Sequence, residues 1–204
     1  MQRVNEVKEK SNRRILIIVL LVFVLPVTVS MTMFITGWRP AATVNHGELV
    51  LPARPIAERD MQSIDGKPVK ISELHGKWTM VYFDSSSCNE SCISQLYFMR
   101  QIHASQGKNY ERIQRVLMLT DTTSVQNLKS KLSEYPDMRV LSGDKAVMAG
   151  LAKDFGFDSQ TVERDKSIFL LDPQGNLMMK YKPGSEPAGT RKDIERLLKY
   201  SNEK

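Results

Sequence analysis

The sequence predicts an α/β domain that follows an N-terminal membrane-spanning helix. An uncharged run covers Ile15 to Ile35, and the later segments alternate between strand-like and helix-like patterns. The two cysteines of the chain, Cys88 and Cys92, lie where a predicted strand passes into a predicted helix. With 204 residues, 41% hydrophobic and 25% charged, the chain has the size and composition of one globular domain with an appendage.

The basic character of the chain is concentrated at its start. The net charge is +6, and residues 1–14 contain five basic and two acidic side chains. The remainder has no cluster of Lys and Arg interleaved with aromatic residues. A nucleic acid is therefore not an expected partner.

The apolar run predicts a membrane anchor over residues 15–36, preceded by a cytoplasmic basic tail over residues 1–14. A helix of this length spans about 31 Å, which matches the roughly 30 Å hydrocarbon core of a bilayer. The run is longer than the apolar core of a cleaved signal peptide. Basic residues crowd its N-terminal side, whereas Arg39 alone follows closely on the other. The positive-inside rule then predicts a bacterial inner-membrane protein with one span and its C-terminal domain in the periplasm, where disulfides persist.

A linker is predicted over residues 37–55 because this segment is rich in Gly and Pro and poor in apolar runs. The folded domain is predicted over residues 56–204. It begins with a β-hairpin, Met61–Ile64 and Val69–Ile71, around the Asp65-Gly66 turn. A single helical turn over residues 72–77 then leads into a buried strand, Trp78–Phe83.

The later strands are predicted from short apolar runs that turn residues separate. They cover Ile113–Thr120, Met138–Leu141, Ser167–Leu171 and Leu177–Tyr181. The alternation of strands with helices predicts a parallel sheet with helices on both faces, and the last two strands predict an antiparallel hairpin.

The predicted helices are bounded by capping residues. The first runs from Cys92 to about Gly107 and places Ile93, Leu96, Tyr97, Met99 and Ile102 on one face. Thr123 with Gln126 predicts a capping box for a helix to about Glu134. Asp144 is expected to cap a helix to Phe155, and Thr190 a final helix to Tyr200.

The cysteine spacing, Cys-x3-Cys, decides what chemistry the pair can support. In a regular helix, residues four apart have Cβ atoms about 5–6 Å apart, whereas a disulfide needs about 3.5–4.5 Å. If the pair closes, Cys88 must lie in the loop and fold back over the first helical turn. Reduced, the two thiolates suit a soft ion such as Cu(I). A structural disulfide and two inert buried thiols are the alternatives that lack chemistry.

The chain resembles the thioredoxin-fold Sco/SenC family over about residues 56–200. The resemblance rests on Asp65-Gly66 with residues 72–78, on the strand that leads into Cys-x3-Cys, and on residues 169–175. It is also similar to cytochrome-oxidase-associated transmembrane proteins of this type. The resemblance implies an α/β, thioredoxin-like (Sco-like) domain that assists assembly of cytochrome c oxidase. Family members deliver copper to subunit II or reduce its cysteines.

One position departs from the Sco pattern. Sco proteins complete their copper site with a histidine just before the strand that corresponds to Ser167–Leu171, and here Lys166 stands at that position. A lysine cation repels copper and could instead favour a nearby thiolate. The three histidines of the chain, His46, His75 and His103, are expected to be surface or capping residues rather than ligands.

The sequence therefore predicts thiol–disulfide exchange through Cys88 and Cys92 as the function, with Lys166 as a residue that tunes the thiolates. The expected partner is a cytochrome c oxidase subunit or its copper chaperone. Two alternatives stay open: transfer of copper as Cu(I) held by Cys88 and Cys92 without the third ligand, and a non-catalytic assembly factor with a structural disulfide. A peroxiredoxin is disfavoured because Val81 and Ser85 replace the Pro and Thr that precede its nucleophile.

Overall fold

The structure is a computed structural model that describes residues 2–37, 45–158 and 161–201, with side chains described from residue 13 onward. The chain forms two compact units, residues 1–44 and residues 45–204. In the first, helix α1 covers Gln2–Ile35 without a break at Pro26. Its segment Arg13–Ile35 is long and apolar enough to cross a membrane.

The second unit is built on one eight-stranded sheet. Its strands are β1 Glu48–Pro55, β2 Asp60–Ser63, β3 Pro68–Lys70, β4 Trp78–Asp84, β5 Ile113–Leu119, β6 Met138–Ser142, β7 Ile168–Leu171 and β8 Asn176–Tyr181. The order across the sheet is β1-β8-β7-β4-β5-β6-β2-β3. Strands β4, β5 and β6 are parallel, and every other neighbouring pair is antiparallel. The predicted mixture of a parallel centre and an antiparallel closing hairpin is confirmed.

Helices cover both faces of this sheet, as the alternating pattern predicts. They are α2 Glu90–Ala104, α3 Val125–Lys131, α4 Lys145–Asp154, α5 Val162–Asp165 and α6 Pro187–Tyr200. Because side chains alternate along β4, Met80 and Tyr82 pack in the core beneath α2 and α6, whereas Val81 and Phe83 pack in the core beneath α4. The central strands β4 and β7 are thus buried on both faces.

The linker prediction was wrong at its C-terminal end. Residues 38–44 lie outside the described residues, but Glu48–Pro55 forms the edge strand β1 and pairs with β8. Its residues are mostly exposed and include two prolines, which is typical of an edge strand. The sequence signal was hidden because an edge strand buries too little apolar surface to show a regular alternation.

Two predicted helix caps were also wrong. The Thr123 hydroxyl donates to Asp121, and α3 begins only at Val125 after Ser124. Thr190 lies inside α6, where its hydroxyl donates to the Glu186 carbonyl, because Pro187 starts that helix earlier. The Asp144 cap is confirmed, because the Val147 N–H donates to Asp144 Oδ1 at 2.8 Å.

Candidate functional site

Cys88 and Cys92 are joined by a disulfide at the carboxyl end of β4, with their Cα atoms 5.1 Å apart. Cys92 lies in the first turn of α2, and Cys88 precedes the helix. The expected fold-back of Cys88 is therefore confirmed. Its backbone has φ of 35°, a conformation that residues other than glycine seldom adopt. Asn89 caps α2, and its side chain accepts the Cys92 N–H at 3.2 Å.

The loop that contains Cys88, residues 85–89, is anchored through Ser86 to the neighbouring β5–α3 connection. The Ser86 hydroxyl and N–H both donate to Asp121, and the Ser124 N–H donates to the Ser86 hydroxyl at 2.8 Å. The N–H and hydroxyl of Thr123 also donate to Asp121. Burial alone would raise the pKa of Asp121, but these hydrogen bonds outweigh it and hold the pKa below its usual range. Asp121 is therefore a charged anchor for this loop, hereafter the cysteine loop.

Lys131, the last residue of α3, contacts the cysteine loop from the solvent side. Its Nζ donates to the carbonyl oxygens of Ser87 and Cys88, each at 2.8 Å. Sequence analysis missed this residue because 43 positions separate it from Cys88, and only the parallel pairing of β4 with β5 brings α3 beside the loop. No local motif in the sequence marks it.

Both cysteines have no solvent-exposed surface. A depression of about 360 Å³ nevertheless reaches Cys88, and its other lining residues are Asn89, Glu90, Ile93, Lys131, Glu134 and Tyr135. Cys92 is not among the lining residues. Cys88 is therefore the cysteine that borders this depression, and the disulfide lies below the surface.

Lys166, the residue predicted to tune the thiolates, forms an ion pair with Asp84. The Nζ–Oδ2 distance is 2.8 Å, and the Asp84 side chain is 2% exposed. The Tyr82 hydroxyl donates to the same carboxylate at 2.7 Å, and the Ser85 N–H donates to its other oxygen. Burial, followed by this bond to Asp84, raises the pKa of Tyr82. The Lys166 cation is thus committed to Asp84, and its role in thiolate tuning stays a prediction.

Where the structure describes the chain, none of the three histidines joins the cysteine pair in a metal-ligand cluster. Among the described residues, no group of three or more His, Cys, Asp or Glu side chains could hold a metal ion. His46 lies 3.4 Å from the buried carboxylate of Asp193, and His75 closely approaches Gly175. His103 is buried rather than at the surface, which corrects the sequence-based expectation for that residue.

His103 belongs to a second buried polar group, at the amino end of β5. Its Nδ1 accepts the Arg115 Nε–H at 3.1 Å, and its Nε2 lies 2.9 Å from the Tyr110 carbonyl oxygen. The rings of His103 and Tyr110 stack at 3.8 Å. Arg115 is 2% exposed, its Nη2 lies 3.8 Å from Asp137, and its buried Nη1 has no hydrogen-bond partner in the part of the chain that the structure describes.

Comparison with known proteins agrees with this architecture. A "putative copper-binding protein" of Stutzerimonas stutzeri is 26% identical over 142 residues, which are 67% of this chain and 70% of that protein. The copper-bound structure of yeast Sco1 matches with a TM-score of 0.62 and 19% identity, covering 72% of this chain and 94% of that one. BsSco, described as a Sco-family cytochrome c oxidase assembly protein with a disulfide switch, matches with a TM-score of 0.59 and 17% identity, covering 74% and 96%.

The family model for the transmembrane-like, thioredoxin-like, C-terminal domain matches residues 78–201, which is more than half of the chain. The matched range runs from the first residue of β4 to the end of α6 and includes both cysteines. The structural matches fix the fold as that of the Sco proteins. The chain therefore belongs to the transmembrane-like, thioredoxin-like family and has the Sco-like thioredoxin fold.

Proposed function

We propose that this chain is a membrane-anchored periplasmic protein that exchanges thiols and disulfides during cytochrome c oxidase biogenesis. The observation that carries the proposal is the Cys88–Cys92 disulfide at the carboxyl edge of the parallel strands, with Lys166 engaged elsewhere and no third ligand beside the pair in the described part of the chain. Open α/β sheets use this edge for ligands and substrates. Helix α1 is the proposed single span, with its N-terminus in the cytoplasm.

The reaction begins with attack on the cysteine nearer the surface. A thiolate of the client, a cysteine pair on an oxidase subunit or its copper chaperone, attacks the Cys88 sulfur. The Cys88–Cys92 bond breaks, and its electron pair leaves on the Cys92 sulfur at the N-terminus of α2, where the helix dipole favours negative charge. The second client thiolate then attacks the client sulfur of the mixed disulfide and releases Cys88 as a thiolate. Two electrons have passed from the client to this chain. The client thiols lose their two protons to solvent before they attack, and the released Cys88 and Cys92 thiolates take up two protons from solvent. The reverse sequence reduces a client disulfide.

Redox titration of the full-length protein in detergent micelles tests this proposal. We expect reduced and oxidised glutathione to interconvert the two forms as one two-electron couple. A Cys88→Ser/Cys92→Ser chain should abolish the couple, and it should fail to support oxidase assembly in cells. If the double variant supports assembly as well as the wild-type chain, the disulfide is structural and the proposal is wrong.

Delivery of Cu(I) is a second candidate, favoured by the copper-binding description of the Stutzerimonas stutzeri relative. Reduction would free two sulfurs, and two thiolates can hold Cu(I). Anaerobic competition with a Cu(I) chelator, with wild type beside Lys166→His, separates the candidates. Stoichiometric binding by wild type supports copper transfer. If only the Lys166→His variant binds Cu(I), the lysine at this position explains why the wild-type chain does not transfer copper.

A further inference from the structure

The burial of the disulfide poses a kinetic problem for the proposed exchange. An attacking thiolate must reach a sulfur atom, yet Cys88 and Cys92 both have no exposed surface. The depression that reaches Cys88 brings a partner near this residue without uncovering its sulfur. Exchange therefore requires the cysteine loop, residues 85–89, to move away from its neighbours. The contacts that hold this loop closed then set the rate of exchange.

Two sets of side-chain contacts tie the loop to α3 and to the β5–α3 connection, and they differ in accessibility. The Ser86 contacts with Asp121 and Ser124 lie inward, and Ser86 itself has no exposed surface. Lys131 is an exposed residue, and it donates to the carbonyl oxygens of Ser87 and of Cys88, which forms the disulfide. A cationic donor makes stronger hydrogen bonds than a neutral one. Lys131 is therefore the outer restraint, and it acts directly on the reactive residue.

The backbone of Cys88 has an unfavourable conformation, and the Lys131 contact helps to maintain it. Its φ of 35° is unfavourable for a residue with a side chain, and such conformations persist only where the surroundings over-determine them. The surroundings here are the disulfide, the Cys88 N–H bond to the Ser85 carbonyl at 3.2 Å, and the Lys131 bond to the Cys88 carbonyl. Loss of the Lys131 bond leaves the strained residue with fewer restraints, so the open loop becomes more populated.

We propose that Lys131 is a positioning residue that holds the cysteine loop closed over the disulfide and sets the rate at which thiols reach Cys88. This inference rests on the proposed thiol–disulfide function and adds its regulation. Lys131 takes part in no bond-making step. It acts through the position of the Ser87–Cys88 backbone.

The test is the rate of disulfide reduction in the oxidised full-length chain in detergent micelles. Excess dithiothreitol is added at fixed pH, and samples are quenched with a thiol-specific mass tag. Lys131→Met keeps the length of the side chain and removes its donors, and we expect about five- to tenfold faster reduction. Lys131→Arg restores a cationic donor and should stay within about twofold of wild type. Lys131→Gln, which weakens the donor but stays polar, should give an intermediate rate and serves if the Met variant does not fold.

Lys129→Met is the matched control. Lys129 lies on the same helix and donates to Asp65 at 2.7 Å, away from the cysteine loop. This variant also loses a lysine, together with the Lys129–Asp65 ion pair, but it leaves the contacts of the cysteine loop intact, so its disulfide should be reduced at the wild-type rate.

The dependence of the rate on urea separates loop opening from a general loss of stability. Opening of a short loop exposes little surface, so the faster rate of Lys131→Met should be almost independent of urea at low concentrations. If the rate instead rises steeply with urea, the variant is reduced through global unfolding, and the proposal is wrong. It is also wrong if Lys131→Met and Lys129→Met are reduced equally fast.

The outcome for Lys131 can be told apart from the outcome for the proposed function. Dithiothreitol measures access to the sulfurs whether or not the protein exchanges thiols in cells. Failure of the glutathione couple with a clear Lys131 effect would overturn the exchange function and leave a structural disulfide guarded by Lys131. A normal glutathione couple without a Lys131 effect would overturn the guarding role alone.

Discussion

The two ends of the central strands hold buried polar groups that differ in how completely their hydrogen-bonding atoms are partnered. At the carboxyl end, Asp84 accepts bonds from Lys166, Tyr82 and the Ser85 backbone, and Asp121 accepts four. At the amino end, the buried Arg115 donates to a neutral His103 ring and lies 3.8 Å from Asp137, and its Nη1 has no hydrogen-bond partner among the described residues. Satisfied networks rigidify their surroundings, whereas a buried charge with poor partners is costly. The comparison indicates that rigidity is concentrated around the disulfide.

The largest expected effect comes from breaking the ion pair at the carboxyl end. In Lys166→Met, the Asp84 carboxylate stays buried without a cation, and we expect a loss of about 3 kcal/mol in the free energy of unfolding. Urea unfolding of the full-length protein in detergent micelles measures it. Lys182→Met is the control, since Lys182 and Glu48 form a pair in which both side chains are more than half exposed. Equal losses in the two variants would contradict a special role for the buried pair.

Removal of the Asp121 carboxylate should have a somewhat smaller effect. Asp121→Ala deletes the acceptor for Ser86 and Thr123 and leaves the buried Ser86 hydroxyl without an acceptor for its proton, so we expect a loss of about 2 kcal/mol in the free energy of unfolding, measured in urea. Asp121→Asn keeps one acceptor oxygen and should lose less. Because the folded-state pKa is lowered, the stabilisation by Asp121 is present near neutral pH and lost as the pH falls through that pKa. An alanine variant as stable as wild type would show that the loop does not depend on this anchor.

The sequence predicted the carboxyl end of the sheet far better than its amino end. The strand, the turn and the cysteine spacing are local signals, so the position of Cys88 outside the helix followed from Cβ distances alone. Asp121 and Lys131 follow the neighbouring strand β5 and contact the cysteine loop only because β5 pairs with β4. No local spacing in the sequence encodes such contacts. The edge strand β1 was missed for a related reason, because its pairing with β8 joins residues far apart in sequence.

The amino-end group was missed because burial of a charged residue contradicts its usual preference. Arg115 interrupts the apolar run of β5, where a polar residue predicts an exposed position. Its burial becomes intelligible only with His103, Tyr110 and Asp137 around it, and these come from α2 and from connections at the same end of the sheet. This surrounding also makes the amino-end group sensitive to protons, because His103 titrates beside the Arg115 cation.

The smallest expected effect is a loss of stability in weak acid through His103. Burial lowers the pKa of His103; the neighbouring Arg115 cation lowers it further, while the bond to the Tyr110 carbonyl and the charges of Asp137 and Glu111 oppose the shift. The unfolded chain, with a histidine pKa of about 6.5, therefore binds a proton that the folded chain excludes. Stability rises with pH in this window, so it should fall as the pH drops below about 6.5, with a slope of at most about 1.4 kcal/mol per pH unit.

Urea unfolding of the full-length protein between neutral and mildly acidic pH measures this slope, with His103→Gln as the matched variant. Glutamine can accept from Arg115 Nε and donate to the Tyr110 carbonyl, so it keeps the hydrogen bonds of the neutral ring without its titration. The variant should lose less stability than wild type over the same interval, because imidazolium no longer forms against a guanidinium. Parallel pH profiles in the two proteins would mean that the Arg115 region tolerates the proton, and the contrast between the two ends of the sheet would then be one of packing rather than of charge.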